Sequence, residues 1–153
     1  KIDAPHHDGT DVADIDRDGD PDIVINGLWF ETPSDLVNGV WKKHDYAPRW
    51  YQQKTGKNGE WYDNNTKVAV NDIDNDGWPD IFISGAEYSG YDICWYRNPG
   101  KEFDKEWEKQ VISEKACYGG TTGDFDNDGD IDIVAPRNWN KAPLFLWRNM
   151  TND

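Results

Sequence analysis

Apolar and polar residues alternate over short runs along this chain, turn-forming residues separate the runs, and no amphipathic helix is evident in the pattern. Three runs rich in β-branched residues, DIVING from Asp22, DIFISG from Asp80 and DIVAPR from Asp132, read as strands. A strand of small residues precedes each of them: TDVAD, KVAVND and YGGTTGD. An aromatic-rich strand follows each and closes on a turn signal: LWFETP, CWYRNPG and LWRNM. A further strand, GVWKKHDY or EWEKQVIS, appears in the first two units. The pattern predicts an all-β chain of three four-stranded units, with strands A to D, the third unit lacking its last strand.

The units span about residues 4–46, 65–112 and 116–150, with an aromatic-rich insertion at 47–64. Ile2 lies 12 residues before Asp14 and Ile112 lies 12 before Asp124, so the opening KID matches VIS, the tail of a D strand. The expectation is a chain that starts inside one D strand and stops before another.

Between strands A and B each unit carries the same loop: DIDRDGDPD at Asp14 to Asp22, DIDNDGWPD at Asp72 to Asp80, and DFDNDGDID at Asp124 to Asp132. Alternate side chains at positions 1, 3 and 5 point into one small volume, and a glycine at position 6 permits a sharp turn. Position 7 then offers a carbonyl, and the aspartate at position 9 closes the shell. An oxygen-rich, flexible cage of this kind suits Ca²⁺ better than Mg²⁺, and zinc favours His and Cys ligands that these loops lack. The expected ligands are Asp14, Asp16, Asp18, Asp20 and Asp22; Asp72, Asp74, Asp76, Trp78 through its carbonyl, and Asp80; and Asp124, Asp126, Asp128, Asp130 and Asp132. Asp20 and Asp130 are expected to contribute backbone oxygen. An EF-hand would need a Glu at position 12 and flanking helices, whereas Ile25, Ile83 and Ala135 stand there and the flanks are strands.

Charge supports the cation. The chain carries a formal net charge of -14 and a pI near 4.4, which argues against nucleic acid or an anionic membrane as partner. Fourteen of its 30 acidic residues sit in the three loops, so three bound Ca²⁺ ions would offset much of the excess. Nine Trp, seven Tyr and five Phe exclude the disorder that so acidic a composition otherwise suggests. No apolar run approaches the roughly 18 residues needed to span a bilayer.

The loops and the strands that follow them resemble the FG-GAP/VCBS repeat family, the calcium-binding blades of β-propellers in integrin α-subunit heads, fungal lectins and secreted bacterial proteins. The Phe-Gly and Gly-Ala-Pro signatures of the integrin form are absent, which places this chain nearer the bacterial type. The resemblance implies propeller-type blades and calcium, and no single activity. Three blades form an incomplete ring, to be completed by other blades of a larger propeller or by other chains in a homo-oligomer.

Three functions are open on this reading. The leading one is an extracellular binding module that recognises glycan on the face opposite the calcium loops. There Trp50, Tyr51, Trp61 and Tyr62 from the insertion join Tyr88, Tyr91 and Trp139 from the B–C loops, and aromatic rings stack on sugars. The second is a structural module that assembles with its own copies. The third is the propeller of a polysaccharide lyase or hydrolase, with His6 or His7 beside Asp8 as the general base, although no catalytic constellation repeats around them. Trp29, Trp95 and Trp147 recur at matching strand C positions and read as core, with Trp41 and Trp107 in packing roles. Cys94 and Cys117 are either a disulfide or two buried thiols, and Asn64-Asn65-Thr66 and Asn149-Met150-Thr151 are sequons. Millimolar calcium outside the cell would fill sites of modest affinity that resting cytosol leaves empty, so the protein is expected to be secreted.

Overall fold

The computed structural model describes residues 1–4, 9–50, 66–85, 92–114, 119–136 and 143–151. Eleven strands lie among them: β1 Thr10–Ala13, β2 Asp22–Ile25, β3 Leu28–Glu31, β4 Lys42–Asp45, β5 Thr66–Asn71, β6 Asp80–Gly85, β7 Ile93–Arg97, β8 Glu108–Ser113, β9 Thr121–Gly123, β10 Asp132–Pro136 and β11 Leu144–Trp147. They form three antiparallel meanders, β1-β2-β3-β4, β5-β6-β7-β8 and β9-β10-β11. The sole helical segment among the described residues is a single 3₁₀ turn at Pro48–Trp50. The A to D strands read within the three units are present, and each central strand begins at the last aspartate of its loop; the opening KID, expected as the tail of a D strand, forms no strand.

The sheets stack face to face with their first strands side by side. Val70 N–H donates to the Asp11 carboxylate (2.8 Å), tying β5 to β1, and Asn71 Nδ2 donates to Thr122 Oγ1 (2.6 Å), tying β5 to β9. Two cores fill the spaces between sheets. The first joins Val24, Trp29, Tyr46 and Trp50 of the first unit to Ile81, Ile83, Cys94, Tyr96 and Trp107 of the second. The other joins Ala69, Phe82 and Ile93 to Ile133 and Ala135, with Trp95 and Trp147 partly buried against them. β6 lies in the middle sheet and is buried at every residue, because both of its faces meet a neighbour.

Register corrects one sequence alignment. Ile23, Ile81 and Ile133 pair with Phe30, Tyr96 and Trp147, whereas Val24, Phe82 and Val134 pair with Trp29, Trp95 and Leu146. Trp147 is therefore the counterpart of Tyr96, not of Trp95. One residue along a strand reverses the face, so Trp147 packs back onto the middle sheet while Leu146 points away from it.

Trp50 requires a second correction. It is a core residue rather than part of an aromatic loop surface. The Asn26-Gly27 turn between β2 and β3 holds the chain leaving β4: Gly27 C=O accepts from the N–H groups of Tyr46 (3.2 Å) and Ala47 (3.1 Å), and Asn26 Nδ2 donates to Trp50 C=O (2.9 Å). The indole is thereby carried inward, where Nε1–H donates to the Tyr96 hydroxyl (3.1 Å), and neither ring face is open to a sugar.

Candidate cation-binding loops

The three loops share one backbone. Position 4 is left-handed in each, at Arg17 (φ 60°), Asn75 (59°) and Asn127 (61°), and so is the glycine at position 6, Gly19 (101°), Gly77 (91°) and Gly129 (93°). Asn tolerates this region well and Gly without penalty. The position 1 carboxylate accepts the glycine N–H in every copy, from Gly19 to Asp14 (3.1 Å), Gly77 to Asp72 (2.9 Å) and Gly129 to Asp124 (3.2 Å). Position 5 accepts from the N–H of position 7 at 2.9 Å in all three.

The aspartate at position 9 is buried and doubly engaged. Asp80 accepts from Ile73 N–H (2.9 Å) and Asn98 N–H (2.8 Å), Asp22 from Ile15 (3.0 Å) and Thr32 (2.9 Å), and Asp132 from Phe125 (3.2 Å) and Asn149 (2.8 Å). Burial nonetheless pushes the Asp80 carboxyl up to about 7 and the Asp22 carboxyl up to about 6, with neighbouring aspartates adding to the shift. Asp16 and Asp74 are also raised, first by burial and then by adjacent carboxylates. The first and second loops therefore hold more negative charge than their own hydrogen bonds satisfy.

That charge converges. One oxygen from each of Asp14, Asp16 and Asp18 lies within 4.8 Å of the others, and Asp72, Asp74 and Asp80, and Asp124, Asp126 and Asp132, group in the same way. Asp14 Oδ1 and Asp72 Oδ1 are buried and accept no hydrogen bond. Buried acceptors without donors are costly, and a cation in the loop would satisfy them. All the donors are oxygen, the set for a hard ion of flexible coordination.

The end of the third strand faces each loop, and this was missed in the sequence. Arg97 places Nε 2.6 Å from Asp74 Oδ2 and Nη2 3.1 Å from Asp76 Oδ2. Arg148 likewise pairs Nε with Asp126 Oδ2 and Nη2 with Asp128 Oδ2 (2.8 Å). In the first unit the same place holds Glu31, which pairs with Lys42 (3.2 Å) and with His44 Nε2 (2.9 Å). The clue was the repeated Arg-Asn dipeptide at 97–98 and 148–149, against Glu31-Thr32.

The Asn of that dipeptide ties one sheet to the loop of the sheet before it. Asn98 Nδ2 donates to Ile15 C=O and Pro79 C=O, both at 3.0 Å, and Asn149 Nδ2 to Ile73 C=O (2.7 Å) and Ile131 C=O (3.3 Å). With its amide so used, Asn149 is poorly placed to accept a glycan at its sequon. Thr32 bonds within its own unit through Oγ1 to Pro21 C=O (2.5 Å). Position 4 adds ties between loops: Arg17 Nη1 donates to Gly77 C=O (2.7 Å) with its guanidinium 5.4 Å from the Trp78 ring centroid, and Asn75 Nδ2 donates to Asp130 Oδ1 (2.7 Å). Asn98→Ala is expected to lower unfolding free energy by roughly 2–4 kcal/mol, since it strips several partners from a buried place. Thr32→Ala, measured beside it in urea, is expected to cost about 1 kcal/mol or less; equal losses would contradict the inter-sheet role.

Asp18 joins the convergent group of the first loop, whereas Asp76 and Asp128 are held by the arginines. Asp20 is exposed and Asp130 is buried with its carboxylate on Asn75. The Trp78 ring packs edge-on to Phe103. Cys94 is a buried thiol that burial pushes up to about 12. Trp107 and Trp29 are core, as read. Tyr51, Trp61, Tyr62, Tyr88, Tyr91 and Trp139, along with His6, His7, Asp8 and Cys117, lie outside the described residues.

Residues 72–135, from the first aspartate of the second loop into β10, match the family described as FG-GAP-like repeat. Comparison with curated proteins finds no match.

Proposed function

With an FG-GAP-like repeat at residues 72–135 as premise, we propose that this chain is a calcium-loaded segment of a β-propeller, working outside the cell as an assembly module that docks onto a second copy of itself. Each sheet is a blade, the third with three strands among the described residues, and Ca²⁺ occupies the three aspartate loops. The unpartnered oxygens Asp14 Oδ1 and Asp72 Oδ1, set in all-oxygen donor groups, support the ion. Extracellular calcium is abundant enough to keep such loops filled, which supports the compartment.

One comparison carries the assembly reading. The position 2 side chain of each loop points at the next blade: Ile15 is 0 % exposed and Ile73 is 4 % exposed beneath their neighbours, whereas Phe125 is 48 % exposed. On the same face of the third sheet Leu144 and Leu146 are 67 % and 53 % exposed. At the opposite end Val12, counterpart of the inward-packed Val70, is 55 % exposed. The two end faces are thus those that successive blades already use against one another. A second copy docking head to tail covers both.

Light scattering in millimolar calcium is expected to give a mass about twice the 17.6 kDa chain at tens of micromolar protein. Phe125→Asp with Leu146→Asp is expected to return it to the monomer, because burying two carboxylates in that contact is prohibitive. A wild-type monomer at those concentrations would sink the assembly reading and leave the calcium reading standing.

A further inference from the structure

We propose that the residue ending the third strand of each unit, Glu31, Arg97 or Arg148, grades the three loops, so that the first takes up calcium ahead of the other two. The inference rests on the calcium reading above and adds an order to it.

Glu31, Arg97 and Arg148 are structurally equivalent, each following the residue that pairs with Ile23, Ile81 or Ile133. Loops two and three present a guanidinium there, and it takes the atoms an ion would need. Asp74 and Asp76 each already give Oδ1 to a backbone N–H (3.3 and 2.9 Å), and Arg97 holds the Oδ2 of both. In the third loop Asp128 is engaged in the same way, by Asp130 N–H and by Arg148. The convergent groups reflect this: position 5 belongs to the group in the first loop and is missing from the other two, where position 9 replaces it.

The first loop has the reverse charge. Asp16 and Asp18 give their Oδ1 atoms to backbone N–H groups at 3.2 and 2.9 Å, and among the described residues no basic side chain pairs with either Oδ2. Arg17, the one basic residue of that loop, extends to Gly77 C=O of the second loop. Glu31 brings a carboxylate to the place of the guanidinium and meets Lys42 and His44 on the side of β4.

Among the described residues calcium therefore meets no guanidinium on the carboxylates of loop one, while in loops two and three it must displace a bidentate ion pair and then sit beside the displaced cation. A single positive charge roughly 6 Å from a divalent ion in a water-like dielectric weakens binding about tenfold, and lost carboxylate contacts add to that. The arginines also act as built-in counter-charges, which keep the second and third loops tolerable between loadings.

The test is equilibrium dialysis of the calcium-loaded protein against falling free calcium, with bound ions counted per chain and circular dichroism following the strands. Wild type is expected to pass from three ions to a plateau at one. Arg97→Gln with Arg148→Gln, at side chains that are 45 % and 44 % exposed, is expected to shift release of the two weaker ions about tenfold lower in free calcium and erase the plateau. Glu31→Gln is expected to release the last ion at higher free calcium. Three ions leaving together in wild type, or an unchanged curve for the arginine double variant, overturns the grading alone; a protein that binds no calcium overturns it together with the reading beneath it.

Discussion

Chelating calcium is expected to lower the melting temperature by on the order of 20 °C. An ion held at a hundredfold excess over its dissociation constant contributes about 2.7 kcal/mol, so three contribute about 8 kcal/mol. That is comparable to the whole stability of an ordinary domain, and in a chain of this size each kcal/mol shifts melting by about 2–4 °C. Without ions the loops keep carboxylates whose charge the arginines of the second and third loops offset only in part. Calorimetry in millimolar calcium and in excess chelator measures the difference, and a shift of less than about 3 °C would rule out calcium as a structural element.

The same experiment reads a pH dependence of opposite sign in the two buffers. Asp80 and Asp22 are pushed up to about 7 and about 6 from an unfolded value of 3.8, mainly by burial. A raised folded value means that the native chain holds protons the unfolded chain has released. The stabilisation is complete below about pH 4 and is lost as pH rises through 6 and 7, so in chelator the protein is expected to weaken from pH 5 to pH 8. In saturating calcium the ion requires ionised carboxylates, and stability is expected to rise over that window.

Asp80→Ala is the single substitution with the largest expected cost, roughly 3–5 kcal/mol in calcium. Asp80 is fully buried where the loop meets β6, and its two oxygens accept the N–H groups of Ile73 and Asn98. Alanine leaves both donors without partners in the interior and removes an oxygen from the second convergent group. Asp80→Asn keeps one acceptor but turns an amide against the other donor, and is expected to cost about half as much. Urea denaturation of the two variants gives the ranking. An alanine variant within about 0.5 kcal/mol of wild type would mean that the position 9 aspartate does not tie loop to sheet.

Much of this was open to inspection in the residue pattern. Period-two alternation is a local property, so the small-residue, β-branched and aromatic strands could be placed without tertiary knowledge. The loop was equally plain, since three copies with aspartate at positions 1, 3, 5 and 9 and glycine at 6 need no partner to be recognised. Other features depended on contacts between distant residues. The Asn98 tie to Ile15 spans 83 positions, and nothing near Asn98 announces it. Trp50 looked like a surface aromatic because its insertion is polar, yet the bond from Asn26 to its carbonyl pulls it into the core. Trp147 looked like the partner of Trp95 until pairing with Ile133 set it one residue over.

Sequence alone determined that this protein is built from strands in three repeated units, each with an aspartate-rich loop, because strand period and loop spacing are written within a few neighbouring residues. Only the tertiary structure decided how the units differ: which loops receive an arginine and which a glutamate, which carboxylate oxygens remain without donors, and which apolar face lies open beyond the third sheet. Those properties arise where side chains from separate units meet, and the stacking of sheets, not the order of residues, brings them together.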